Sequence, residues 1–255
     1  MYEKAGKLGQ APVGTLERGL AVLGTLGQSA HGMTLTELAT STGLPKQTTS
    51  RLLATLVDFE FVEKHGVAYR IGYQCFRLGN LYTFDEHLQR RARPIMERLK
   101  DQVQEVVQLG TLSDHGILYL ERVEPRRSIA VVPSQPGSIR PAYCTALGKV
   151  LLSQLGTEEL AERLRETYFE SKTPKTITSR EALLTELEAT RRRGYAVDEG
   201  ESDEEIGCVA APIFDNLGRP VAAISVSAPR FRISGETRTS VANRVVRAAS
   251  ELSGN

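Results

Sequence analysis

Between residues 45 and 58 the chain carries a polar set that could read nucleic acid. The stretch opens Pro45-Lys46-Gln47-Thr48-Thr49-Ser50-Arg51-Leu52-Leu53. Wound as a helix at about 100° per residue, it puts Thr49, Leu52, Leu53 and Leu56 on one side, where they must face a core. Gln47, Ser50, Arg51 and Ala54 fall opposite, flanked by Lys46 and Thr48. Gln can pair with an adenine edge, Arg with guanine, and Ser or Thr with a base or a phosphate. A recognition helix contacts bases mainly through its N-terminal residues, where this set lies, and its N-terminus favours a phosphate. Lys64, His65, Tyr69 and Arg70 follow within reach of a phosphate or a minor groove, and Arg18 is a candidate phosphate clamp upstream. A polar helix face alone is ordinarily solvated surface, so its neighbours must decide.

Other chemistry is sparse. Cys75, Cys144 and Cys208 are odd in number and far apart, which suits neither a disulfide framework nor a zinc site and fits a reducing cytoplasm. The four histidines form no H-E-x-x-H pair, and no nucleophile elbow, phosphate loop or dinucleotide fingerprint occurs. No catalytic residue, metal or cofactor is expected. Residues 198–205 hold six acids in eight positions, without the spacing and the sixth-position Gly of a calcium loop. A rival enzymatic reading would make Cys208 the nucleophile of a small-molecule hydrolase, yet it has no neighbouring base to activate it. A third reading has the 61–71 hairpin bind a partner protein.

The surrounding elements favour DNA. Residues 15–28 carry Leu16, Leu20, Leu23 and Leu26 near helical spacing and predict an amphipathic helix. Thr34-Leu35-Thr36-Glu37 matches a capping box, opening a helix over 35–42 that stops at Gly43. Pro45 suits the first turn of the next helix. Residues 61–64 and 67–71 are strand-like around His65-Gly66, a tight hairpin. Helix, helix, short turn, helix and hairpin make a winged helix-turn-helix over 1–72. A linker helix is expected over 73–93, broken at Pro94, and a second domain over 94–255. There, strands are predicted at 106–113, 117–123, 129–133, 207–214 and 221–228. Helices are predicted at 145–154, 157–167, 180–194 and 235–252. The expected class is α/β (α+β), with an antiparallel or mixed sheet.

The chain has 255 residues, 40% apolar and 25% charged, ordinary for one or two globular domains. No apolar run reaches the roughly 18 residues of a membrane span, and residues 1–10 lack a signal-peptide core. A net charge of +1 argues at first against a nucleic-acid binder. Residues 1–80, however, hold eight Lys or Arg against six Asp or Glu, and within 45–54 the only charges are Lys46 and Arg51.

The chain resembles the IclR family of transcriptional regulators over nearly its whole length. Thr15-Leu16-Glu17-Arg18-Gly19-Leu20 is similar to the family's opening S-x-x-R-A-L run. Gly43 to Leu53 is close to G-L-P-K-S-T-x-x-R-L-L, and Ala146-Leu147-Gly148-Lys149 to the A-L-G-K box. Gly194 to Asp198 and Cys208 to Asp215 are similar to G-Y-A-x-D and C-[IV]-A-A-P-[IV]-F-D. Two departures stand out. Asp198-Glu199-Gly200-Glu201 replaces a frequent Glu pair, and Tyr143-Cys144 precedes the A-L-G-K box, where they could reshape a pocket mouth.

The resemblance implies a winged helix joined to a GAF-like effector domain. It implies dimerisation through the N-terminal part, often a dimer of dimers, on a pseudo-palindromic double-stranded operator. It also implies a site for a small organic acid, aromatic or aliphatic. Carried over by position, the lining is Ile129, Val132, Arg140, Ala146, Leu147, Asp198, Ile206 and Cys208. Arg140 could take a carboxylate bidentately, and the turn near Thr145 offers backbone donors. Ser225 and Ser227 share one face of their strand and could add hydroxyl contacts. Asp198 is the one acid of 198–205 expected to turn inward. The expected function is a ligand-responsive repressor.

Overall fold

A computed structural model describes residues 14–29, 31–81, 86–126 and 134–253. The chain divides into two compact units, residues 1–84 and 85–255.

The first unit packs three helices against a small sheet. Helix α1 (Gly14–Leu26) leads through strand β1 (Met33–Thr34) into α2 (Leu35–Thr42) and α3 (Lys46–Asp58). Strands β2 (Val62–His65) and β3 (Ala68–Ile71) form the hairpin, and α4 (Tyr73–Leu81) closes the unit. The sheet order is β1-β3-β2, with Thr34 opposite Ala68 and Lys64 opposite Tyr69. The capping box forms: Thr34 Oγ1 accepts from the Glu37 amide, and Glu37 accepts from the Thr34 amide at 2.7 Å. Gly43 ends α2 at φ +68°, a left-handed conformation that favours glycine. Val22, Leu26, Leu38, Leu53 and Val62 make the core. The first helix departs from expectation, since Leu16 and Leu20 lie exposed and the buried stripe is Val22 and Leu26. Among the described residues, only the C-terminal half of α1 has a partner wall in this unit.

The second unit is a six-stranded antiparallel sheet covered on both faces. Helix α5 (Glu86–Val103) precedes the hairpin β4 (Val106–Ser113) and β5 (Gly116–Val123), then β6 (Ile139–Arg140). Helices α6 (Ala146–Leu152), α7 (Thr157–Arg163) and α8 (Arg180–Arg193) follow. Strand β7 (Ala196–Asp198) and the hairpin β8 (Ile206–Phe214) and β9 (Pro220–Pro229) complete the sheet. A short 3-10 turn (Arg230–Arg232) leads to α9 (Gly235–Leu252). The strand order is β6-β5-β4-β9-β8-β7. Val107, Leu109, Val209, Ala211, Ile213, Ile224 and Val226 pack under α5 and α9. The alternate positions turn to α6, with Ile117, Tyr119, Ala210 and Ala223 packed on Ala146, Leu147 and Val150. This two-sided burial is why β8 and β9 read as almost unbroken apolar runs.

Several boundaries differ from the sequence expectation. Pro94 lies inside α5 and does not break it, so the linker expected over 73–93 is instead α4 followed by the first part of α5. An interior proline costs about 3 kcal/mol. Leu88, Ala92, Ile95, Met96 and Leu99 bury one face of α5 against the sheet, and each large buried side chain returns about 1.5–3 kcal/mol. Burial therefore wins. The expected strand at 129–133 lies outside the described residues. Strands β1, β6 and β7 went unforeseen, because runs of two or three residues carry no readable period.

Candidate nucleic-acid interface and ligand cavity

On α3, Lys46, Gln47, Ser50, Arg51 and Ala54 are exposed, Thr48 is half-buried, and Thr49 and Leu53 are buried. The short turn Gly43-Leu44-Pro45 brings this face out directly after α2, with Pro45 as the N-cap. Arg18 is exposed on α1. Lys64 and His65 are exposed on the wing, His65 beside Glu63 at 3.2 Å. Tyr69 is half-buried against the core, and Lys64 lies 5.8 Å from its ring centroid. Its ring is thus held within the wing. Arg70 is exposed, with Nε donating to the His31 carbonyl at 3.2 Å, which ties the wing to the turn before β1.

In the second unit a narrow cavity, partly open to solvent, lies between the sheet and α6. Arg140, Ala146, Leu147, Asp198, Ile206, Cys208, Ser225 and Ser227 all line it. Ile129 and Val132 lie outside the described residues. Strand pairing gathers the set: Gln108 sits opposite Ser225, Cys208 opposite Ser227, and Asp198 opposite Cys208.

Sequence reasoning did not single out Gln108, Tyr119, Ser134, Ser202 or Asp203, which also line the cavity, nor the Thr145 side chain. A polar chain crosses the floor. Ser227 Oγ donates to Gln108 Oε1 at 3.1 Å, and Gln108 Nε2 donates to Ser134 Oγ at 2.5 Å. Gln108 had a legible signal, since it interrupts the apolar run Val106-Val107-Gln108-Leu109 at an inward position.

Helix α6 owes its placement to Gly148. A Cβ there would collide with the Ala142 backbone, so the glycine permits the loop ahead of α6 to lie directly on the helix. Thr145 caps the helix, its hydroxyl accepting from the Gly148 amide at 3.2 Å and donating to the Pro141 carbonyl at 3.1 Å. The two residues expected to reshape the pocket mouth do not line it. Tyr143 packs its ring at a tilt against Phe169, centroids 5.2 Å apart, and donates to the Glu170 carbonyl, and Cys144 is buried in the same cluster. Both are apolar enough for the α6–α8 core, which takes them.

Asp198 is buried, and its Oδ1 accepts from the amides of Gly200 at 3.0 Å and Glu201 at 2.6 Å. Burial pushes its carboxyl above the usual range, against those bonds and the Lys149 charge. A second acid also turns inward, contrary to expectation. Glu201 is buried and paired with Lys149, itself buried on α6, and Glu186 lies 3.5 Å from the same ammonium. A lysine inside the apolar run Ala146-Leu147-Gly148-Lys149-Val150-Leu151-Leu152 requires such an anion.

Cys208 Sγ lies 3.1 Å from Ser227 Oγ. Burial and the Asp198 charge raise its thiol well above the ordinary value, so it stays a thiol, a poor nucleophile. Among the described residues no cluster of His, Cys, Asp and Glu could hold a metal, and no helix is long and apolar enough to cross a membrane.

Comparison with known proteins matches both units. Residues 15–66 match the IclR helix-turn-helix domain, and residues 81–254 the bacterial transcriptional regulator IclR C-terminal domain. The chain is 35% identical to the HTH-type transcriptional regulator BhcR of Paracoccus denitrificans, covering 98% of this chain and 91% of that one. It is 33% identical to the transcriptional repressor IclR of Escherichia coli, covering 94% and 89%. Among solved structures, the Thermotoga maritima IclR superposes with a TM-score of 0.74 at 29% identity, covering 95% and 98%. An IclR homolog of Microbacterium hydrocarbonoxydans complexed with 4-hydroxybenzoate gives 0.78 at 25% identity, covering 94% and 98%.

Proposed function

The chain belongs to the IclR family of DNA-binding transcriptional regulators, and from that premise we propose that it is a repressor governed by a small organic acid rich in hydroxyl or keto oxygens. The carrying observation is the cavity, where one guanidinium, Arg140, stands among the hydroxyl and amide groups of Gln108, Ser134, Ser225 and Ser227. Arg140 is the anchor for a carboxylate. The hydroxyls and Asp198 suit a ligand's further oxygens, while Ala146, Leu147 and Ile206 leave a narrow apolar wall. A hydroxylated aromatic acid of the 4-hydroxybenzoate kind and a short aliphatic hydroxy acid both meet this description. The E. coli relative's name as a repressor supports the sign of regulation.

On DNA, Lys46, Gln47, Thr48, Ser50 and Arg51 enter the major groove, and Arg18, Lys64 and Arg70 engage phosphates. Tyr69 supports Lys64 from beneath. The protein acts as a homodimer joined through its N-terminal unit, and as a dimer of dimers on a pseudo-palindromic operator. Exposed Leu16 and Leu20 on α1, and Tyr73, Phe76 and Leu78 on α4, supply apolar surface for the joining. The acid prefers one arrangement of the oligomer and so shifts the spacing of its recognition helices.

A thermal-shift screen of aliphatic and aromatic hydroxy acids tests the ligand class, because a molecule that binds only the native state raises Tm. Hits should also release operator DNA in a gel shift. Arg140→Ala should keep operator binding and lose most of the acid response; a full response in that variant would remove the carboxylate anchor.

A further inference from the structure

Lys149 is a cation on a helix whose seven residues are all buried, and it is not part of the cavity lining. Its ammonium reaches away to Glu201 and Glu186. Glu201 belongs to the strap of residues 199–205, and the next two strap residues, Ser202 and Asp203, line the cavity. Backbone contacts hold the strap at its ends. Thr173 Oγ1 donates to the Gly200 carbonyl and Thr176 Oγ1 to the Glu201 carbonyl, each at 2.6 Å. At the far end the Arg230 amide donates to the Glu205 carbonyl at 2.7 Å. The Glu201 side chain links the strap to α6.

We propose that Lys149 and Glu201 are positioning residues for the cavity: the buried hydrogen bond from the Lys149 ammonium to the Glu201 carboxyl, made whether or not that carboxyl is ionised, ties strap 199–205 to helix α6 and sets how closely Ser202 and Asp203 cover a ligand. This rests on the reading of the cavity as the effector site. The surroundings make the tie proton-sensitive. Glu201 faces Lys149 from α6, Glu186 from α8 and Asp198 from β7, while Arg193 engages Glu186 from its other side at 2.7 Å. Burial lifts the Glu201 carboxyl to about 7, the Lys149 charge opposing and the Asp198 and Glu186 charges adding. Glu201 Oε2 is buried without a hydrogen-bond partner among the described residues, so the Lys149 contact at the other oxygen is the main offset to the cost of burying its charge. In an open strap the carboxyl meets water and returns toward its ordinary range. The closed strap therefore holds the proton more tightly, so closure is favoured below pH 7 and weakens as the pH rises through about 7.

Hydrogen exchange on the full chain tests this, at about pH 6 and about pH 8 with intrinsic rates corrected. The reporters are the amides of Gly200, Glu201 and Glu205, each hydrogen-bonded within the 198–205 segment. In the native protein they should exchange roughly tenfold faster at the higher pH. Glu201→Gln keeps a partner for Lys149 but cannot titrate, so it should be equally protected at both. Glu201→Ala should lose protection at both while β8 and α9 keep theirs. A Gln variant that retains the native pH dependence, an Ala variant with a protected strap, or a native strap indifferent to pH would each overturn the proposal. Should Glu201→Ala fail to fold, the native and Gln profiles decide alone. No ligand enters the measurement, so failure of the effector reading would appear separately, in the acid screen.

Discussion

Arg51 and Arg140 carry the same guanidinium into different settings, and the settings decide what each can do. Arg51 is exposed on the outward face of α3, where only a partner could engage it. Arg51→Ala should weaken specific operator binding by about 1–3 kcal/mol in gel shifts, as loss of one good base pairing does. Its effect on Tm should be small, because an exposed substitution usually stays within about 0.5 kcal/mol. Retained sequence preference in that variant would move recognition to Gln47 and Ser50. The outward set of α3 was legible in the sequence, because helical geometry alone separates it from Thr49 and Leu53. Ser134 and Tyr119 were not, since the fold brings them to the cavity from distant stretches of chain, whereas Gln108 showed only as a break in an apolar run. Glu201 looked like one more solvated acid until its partner, 52 residues away in Lys149, was in place.

Elements whose cues are local formed as read. The Thr34–Glu37 box and the Gly43 stop lie within a few residues of the helix ends they govern. Thr34→Ala removes the hydroxyl cap of α2 and should lower stability by about 1 kcal/mol, seen as a fall in Tm. The expected loss is confined to the N-terminal unit if the two units melt separately. Gly148→Ala should cost about 1–3 kcal/mol through overpacking against the Ala142 backbone and should loosen the cavity wall with it; an unchanged Tm would mean the 141–145 loop can yield. Elements set by distant packing were misread. Pro94 looked like a boundary, and only the sheet beneath α5 explains why the helix continues. Leu16 and Leu20 looked like core, and α1 meets no wall there among the described residues.

At the scale of the molecule, the near-neutral charge predicts weak non-specific binding per subunit, which fits the proposed joining of half-sites. Leu20→Glu places a charge on the exposed apolar face of α1. Sedimentation should show it shifted toward monomer, with operator affinity falling alongside and folding kept. A variant that stays dimeric would move the joining surface to α4. Thr34 belongs to two elements at once: it pairs with Ala68 on the wing sheet and caps α2. Arg70 adds a second tie between the wing and the turn before β1. Wing and helix pair are thus joined within a single residue. On the proposed joining of heads, wing and helix pair would meet DNA as one jaw of a caliper, and a stretched or bent operator would be met between heads, where a ligand could set the gauge.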